Sequence, residues 1–202
     1  MRGRFRSFWG NRAAAVAAEF ALVVPLLVLF VLGIIDGGRL LWTWNRAEKA
    51  AQMGARYAIT TDVVSDGLAS YDFFSGGIPR GDPIPETSFG GATCTSTGCT
   101  CNTGATCPAL GTLSSTAFDN LVARMQDFMP ELAASNVEVE YGYSGLGYSG
   151  DPYGPDMDPL VTVRITGLTY EPTLGSLFGA SFAMPAFAST LSMEDGEGTH
   201  AN

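Results

Sequence analysis

Apolar and polar positions divide this chain sharply near its start. From Ala13 to Ile35, 23 residues dominated by leucine and valine carry a single charge, Glu19. At about 1.5 Å per residue, a helix of that length reaches roughly 34 Å, enough for a hydrocarbon core of about 30 Å. Pro25 is the one residue that resists a helix, and bilayer helices tolerate a proline with a kink. The pattern predicts a transmembrane helix. A cleaved secretory signal is the competing reading. The apolar stretch exceeds the about 7–15 residues of a signal core, and no small-x-small site follows it.

The helical pattern continues past the apolar run. The sequence DGGRLLWTWNRAEKAAQMGARYAITTD is rich in good helix formers, with Leu40, Trp44, Ala47, Ala51, Ala55 and Ala58 spaced three or four apart. Gly37-Gly38 weakens the helix locally, and Trp42 and Trp44 suit the outer interface of a bilayer. From Ser65 to Leu113 the composition turns to Gly, Pro, Ser and Thr and predicts loop. A second helix is expected over SSTAFDNLVARMQDFMPEL, capped by Ser114 or Ser115, with Phe118, Leu121, Val122, Met125 and Met129 as its apolar face.

Three strand patterns follow. NVEVEYGY sets Val137, Val139 and Tyr141 against Glu138 and Glu140. PLVTVRITGLTY sets Val161, Val163 and Ile165 against Thr162, Arg164 and Thr166. AMPAFASTLSME alternates more weakly through Phe187, Ser189 and Leu191. The expected fold class is α+β: a long N-terminal transmembrane helix extending into a small exported head, with an antiparallel sheet and one packed helix. The expected organisation is a basic leader over 1–12, the span over 13–35, a helical stalk over 36–64 and the head over 65–202.

Charge gives the orientation. Arg2, Arg4, Arg6 and Arg12 precede the apolar run without an acid among them, whereas Tyr57 to Asn202 holds seventeen acids and three bases. Positive flanks stay cytoplasmic, so the N-terminus is expected inside and the head periplasmic or extracellular, on a single-pass inner-membrane protein. An acidic head argues against a nucleic-acid partner.

Cys94, Cys99, Cys101 and Cys107 fit export as well. Their even count within one short polar loop, 94–107, predicts two disulfides, with three pairings possible. A four-cysteine zinc site is the rival, but its paired CxxC spacing is absent.

Candidate chemistry is sparse. The one histidine, His200, stands in the polar tail, so Ser-His or Cys-His catalysis has no credible base and no histidine metal site is expected. No phosphate-cradling GxxxxGK[ST] occurs. Asp151, Asp156 and Asp158 in a glycine-rich loop form a weak calcium candidate, against a plain solvated turn, and miss the EF-hand spacing. No enzyme activity and no cofactor is expected.

Glu19 is left as the unusual residue. A charge deep in a membrane helix costs about 2.5–3.5 kcal/mol on insertion scales, and such residues are mostly functional or paired. The bland reading is a carboxylate that snorkels to the cytoplasmic interface. The run AVAAEFALVVPLLVLFVLGIIDGGRLLWTWNRAEKAAQMGARYA resembles the signature of TadE-like and TadG-like proteins, minor pilins or pseudopilins of the tight adherence (Tad/Flp) pilus system. The matching features are Glu19-Phe20, the Leu/Val run containing Pro25, the exit Gly38-Arg39-Leu40-Leu41 and the closing Gly54-Ala55-Arg56-Tyr57. AMPAFASTLSME resembles the family's closing strand.

The resemblance implies a membrane partner, other pilus subunits, inner-membrane assembly proteins and processing by a prepilin peptidase. The cut would fall between Ala14 and Ala15 and leave Glu19 fifth in the mature chain, although the family usually has glycine where Ala14 stands. In such assemblies the glutamate pairs with a neighbour's N-terminal amine. The alternative to a pilin role is a permanently anchored extracytoplasmic module for ligand binding or adhesion.

Overall fold

The long helix expected from the sequence is α1, Arg12–Ala58, which runs through Pro25 without a break. In the computed structural model the described residues are 12–193, excepting 103, 105, 152–154 and 177–178. The basic leader up to residue 11 and the tail that carries His200 lie outside them. The chain divides into two compact units. One is Met1–Thr43 with Tyr170–Phe182, and the other is Trp44–Thr169 with Ala183–Asn202.

In the first unit, the membrane-length part of α1 is joined by the short helix α4, Thr173–Ser176. In the second, a five-stranded antiparallel sheet is built from β1 (Ala92–Thr95), β2 (Gly98–Cys101), β3 (Val137–Gly142), β4 (Leu160–Ile165) and β7 (Phe187–Ser192), in the order β2-β1-β3-β4-β7. Two short strands, β5 (Thr169–Tyr170) and β6 (Phe182–Ala183), form a separate ribbon.

The period-2 patterns place the sheet's two faces as expected. Val137, Val139, Tyr141, Val161, Val163 and Ile165 are fully buried. Each such side chain contributes about 1.5–3 kcal/mol by leaving water. On the wet face Glu138 stands opposite Arg164 in register, and the Arg164 guanidinium also reaches Glu140 at 3.3 Å.

Two helices cover the buried face. α3, Ser115–Gln126, starts where Ser114 accepts a hydrogen bond from the Ala117 N–H, and it buries Phe118, Leu121, Val122 and Met125. The C-terminal part of α1 is the other. Ala47, Ala50, Ala51, Ala55 and Ala58 are buried there, so one face of this half of the helix is part of the core, while Glu48, Lys49, Gln52 and Arg56 stay exposed. A stripe of small residues lets the helix axis approach its neighbours closely. Gly54 sits within it, and a Cβ added there would lie 2.8 Å from Met125 Sδ and 3.1 Å from Val163 Cγ1.

The segment 65–113, read from sequence as loop, contains the short helix α2 (Asp66–Ser70) and the hairpin β1-β2. Its neck is closed by backbone bonds Asp66 N–H to Thr112 O and Ser114 N–H to Val64 O. Its interior holds Phe73, Ile84 and Phe89, all buried. The strands were hidden because ATCT and GCTC offer neither branched aliphatics nor aromatics, and alternate only threonine with cysteine.

Two residues at that neck give testable consequences. The Tyr141 hydroxyl, fully buried, accepts the Val64 N–H at 2.9 Å, and burial pushes its phenol well above its ordinary range. Tyr141→Phe should leave that buried N–H unpaired and cost about 1–3 kcal/mol, read as a lowered melting temperature with unchanged circular dichroism.

Asp66 accepts from the Thr112 hydroxyl at 2.7 Å and from the Thr112 N–H, and these bonds hold its carboxyl below the ordinary 3.8. A depressed carboxylate adds stability that is complete above the unfolded value and disappears as pH falls through the folded one. Asp66→Asn should therefore flatten the acid-unfolding limb below about pH 3.8 while leaving the slope at higher pH unchanged.

Candidate functional site

The apolar part of α1 leaves Leu26, Leu27, Val28, Leu29, Phe30 and Val31 all exposed. At about 3.6 residues per turn, six successive positions run round the whole helix, so no face is kept for a protein core. The mean hydropathy of its apolar window is 2.7, and none of that window is buried. It is one N-terminal helix long and apolar enough to span a membrane. Glu19 is exposed on it, flanked by Val16 (63% exposed), Phe20 (69%) and Leu22 (73%). Among the described residues none is paired with its carboxylate. Ala15 is likewise exposed, and the side chain of Ala14 lies outside the described residues.

A second carboxylate on the same helix behaves oppositely. Asp36, the first residue past the apolar run, is buried at 8% exposure. Its Oδ1 accepts the Thr173 N–H at 2.8 Å and its Oδ2 accepts the Leu174 N–H at 3.0 Å. It therefore caps the first turn of α4 from 137 positions away. Arg39 lies 3.8 Å from Oδ1 and donates to the Thr173 hydroxyl. Tyr170 closes the arrangement by donating its hydroxyl to the Asp36 carbonyl at 2.8 Å. Sequence reasoning missed this cluster. Its one local signal is an acid placed directly after an apolar run.

The four cysteines form Cys94–Cys99, across the β1-β2 hairpin, and Cys101–Cys107, which closes the next loop. Of the three pairings open from sequence, this is the one between neighbours in order. Cys94 and Cys99 are cross-strand partners in register, so the hairpin itself brings them together. The bridges brace a hairpin that has little apolar surface of its own.

Of the three aspartates of the calcium candidate, Asp156 is engaged by the backbone. Asp156 is buried, and its two oxygens accept the Phe73 N–H at 2.7 Å and the Asp151 N–H at 3.0 Å. Burial, and secondarily the charge of Asp151, push the Asp158 carboxyl up. Among the described residues no group of three His, Cys, Asp or Glu side chains could hold a metal ion. The loop is instead held by backbone proximity: Gly147 (φ +97°) bridges Met157, and a Cβ at Gly147 would collide with the Asp156 carbonyl. A polar cleft of about 280 Å³ lies beside it, lined by Tyr71, Asp72, Arg80, Asp151 and Asp156 among others.

Comparison with known proteins finds similarity along α1 and none in this loop. The family described as TadE-like protein matches residues 14–56 of the 202. The matched stretch holds Glu19, Asp36 and Gly54, and ends two residues before α1 does. No curated protein and no solved structure matches the chain.

Proposed function

We propose, with residues 14–56 a TadE-like segment, that this chain is a membrane-anchored minor pilin or pseudopilin acting in the assembly of a tight adherence (Flp-type) pilus. The observation that carries the proposal is the position of Glu19. Within the apolar run of the matched segment it is the one charged residue, exposed on a surface apolar on every side and without a partner among the described residues. A carboxylate about 9 Å inside the apolar run calls for a cation once the helix is in lipid.

In this reading the basic leader stays in the cytoplasm, the helix crosses the inner membrane, and the disulfide-braced lobe stands on the far side. A peptidase acting on the cytoplasmic side cuts after Ala14, and the new amine of one subunit meets Glu19 of its neighbour. Such a pair neutralises both charges where water is scarce and fixes the axial register between helices. The chain acts by assembly and not by catalysis. Its partners are the bilayer, other pilus subunits, inner-membrane assembly proteins and the processing peptidase.

Mild cross-linking of intact membranes, followed by purification of the tagged chain and identification of what comes with it, tests this directly. Pilus subunits and their inner-membrane assembly proteins are the expected companions. Their consistent absence, with the chain present at normal level, would favour a permanently anchored binding module.

A further inference from the structure

The segment Tyr170–Phe182 leaves the strand β4 region and belongs with the membrane-length part of α1 in one unit. We infer that the described residues of this segment, 170–176 and 179–182, are a second membrane-contacting element, a collar that lies in the lipid headgroup layer where α1 leaves the hydrocarbon, and that Asp36 pins it there. The inference rests on α1 spanning a bilayer, and adds to it a contact far away in sequence.

Depth is the first argument. The apolar run ends at Ile35, and the collar is tied to the helix at Asp36 and Arg39, through Thr173, Leu174 and Tyr170. Those anchor points lie within about 6 Å of the end of the run at about 1.5 Å per residue. The headgroup layer on each side of the hydrocarbon is about 5–8 Å thick. The collar is thus held at the level of that layer and not above it.

Surface chemistry is the second. Leu41 (65% exposed) and Trp42 (67%) on α1, and Phe182 (59%) in the collar, all display large apolar side chains in the same unit. Phe182 belongs to the ribbon strand paired with the one that carries Tyr170, so its backbone stays near the anchor. These exposed side chains belong to the same unit as the apolar run of the helix and are anchored within about a turn of its end, and interfacial aromatic residues favour that layer. A lipid surface is the occupant that this depth selects.

Backbone satisfaction is the third. Irregular chain near the hydrocarbon is tolerated only where its polar groups are paired within the protein. The collar meets that condition at several points. Asp36 takes the Thr173 and Leu174 N–H groups, and Ser176, Gly179 and Ala180 donate to Pro172, Ser176 and Gly175 carbonyls. The Asp36 carboxylate is in turn covered by the collar, which spares it direct exposure to lipid.

Fluorescence quenching in the full chain tests the collar. With Trp9, Trp42 and Trp44 replaced by phenylalanine, a single tryptophan is introduced as Phe182→Trp, Leu29→Trp or Phe74→Trp. Each variant is reconstituted into phosphatidylcholine vesicles whose acyl chains are brominated either near the headgroup or near the chain end. Leu29→Trp should be quenched by the deep bromines, which establishes the span. Phe182→Trp should be quenched by the shallow bromines, and Phe74→Trp, on the lobe, by neither.

Adding Asp36→Ala to Phe182→Trp should reduce the shallow quenching while deep quenching of Leu29→Trp in the same background persists. Quenching of Phe182→Trp no stronger than that of Phe74→Trp, with Leu29→Trp still quenched, would overturn the collar and leave the span standing. Full quenching of Phe182→Trp retained after Asp36→Ala would overturn the pinning role of Asp36. Absence of quenching at Leu29→Trp would remove the span and the collar together.

Discussion

Glu19→Gln will yield a chain that reaches the membrane at normal level and supports no pilus. Glutamine keeps the size and polarity of glutamate and removes only the charge. An ionised carboxylate costs about 2.5–3.5 kcal/mol at the centre of a membrane helix and less toward its ends, so the neutral variant should insert at least as well as the natural chain. Folding of the lobe should be untouched, because Glu19 is exposed and none of the described residues pairs with it. What disappears is attraction to a neighbour's amine, which at close range and away from water far exceeds its value at an exposed surface. Glu19→Ala should behave alike, since charge and not volume makes the contact. Pili counted by electron microscopy at matched membrane levels give the readout. Normal piliation by the glutamine variant would return Glu19 to the role of a snorkelling carboxylate.

Gly54→Leu will unfold the lobe or bring it close to unfolding. Gly54 stands in α1 where the helix crosses α3 and β4, and an added Cβ would meet Met125 at 2.8 Å and 2.9 Å and Val163 at 3.1 Å. Met125 and Val163 are both fully buried, so neither can move far. Two effects compete in any substitution here. Replacing glycine inside a helix returns about 0.5–1 kcal/mol of backbone entropy. Overpacking a filled core costs about 1–3 kcal/mol, and leucine adds three more carbons beyond the Cβ. For alanine the two nearly offset, because the flexible Met125 side chain can shift by a few tenths of an ångström. For leucine the packing cost wins, and a loss of about 3 kcal/mol is expected. Thermal melts of the full chain in detergent should show a small change for Gly54→Ala and a large fall for Gly54→Leu. Equal stability of both would mean that α1 does not press on the sheet at this point.

Elements whose periodicity is carried by apolar side chains were legible in the sequence. The valines of β3 and β4 alternate with charged or hydroxyl residues and occupy the buried face, and the apolar face of α3 is buried from Phe118 to Met125. A serine cap was legible because serine before such a face serves that use, but the choice between Ser114 and Ser115 was not, and Ser114 is the one that accepts the Ala117 N–H. The β1-β2 hairpin was not, since its strands are stabilised by pairing with β3 and by disulfides, neither of which leaves an apolar rhythm.

The candidate site divides in the same way. Glu19 stands out locally as a charge in an apolar run. Asp36 does not, because its partners Tyr170, Thr173 and Leu174 are more than 130 positions away and nothing in their own sequence marks them. Asp151, Asp156 and Asp158 suggest a cation loop from sequence only because they share a glycine-rich loop, since their spacing misses the EF-hand pattern. Asp156 accepts two backbone N–H groups, so its carboxylate helps to hold the loop.

The first residue of the mature chain decides the central claim. The chain should be purified from membranes of a strain that assembles the pilus, and its N-terminal peptide identified by mass spectrometry. Pairing between Glu19 and a neighbour's amine requires a start at Ala15, which places the carboxylate fifth and the amine about 6 Å away along the axis, so that a neighbour staggered by about one turn brings the two together. A chain that retains Met1 would keep the amine in the cytoplasm beyond the arginines and would contradict the pairing.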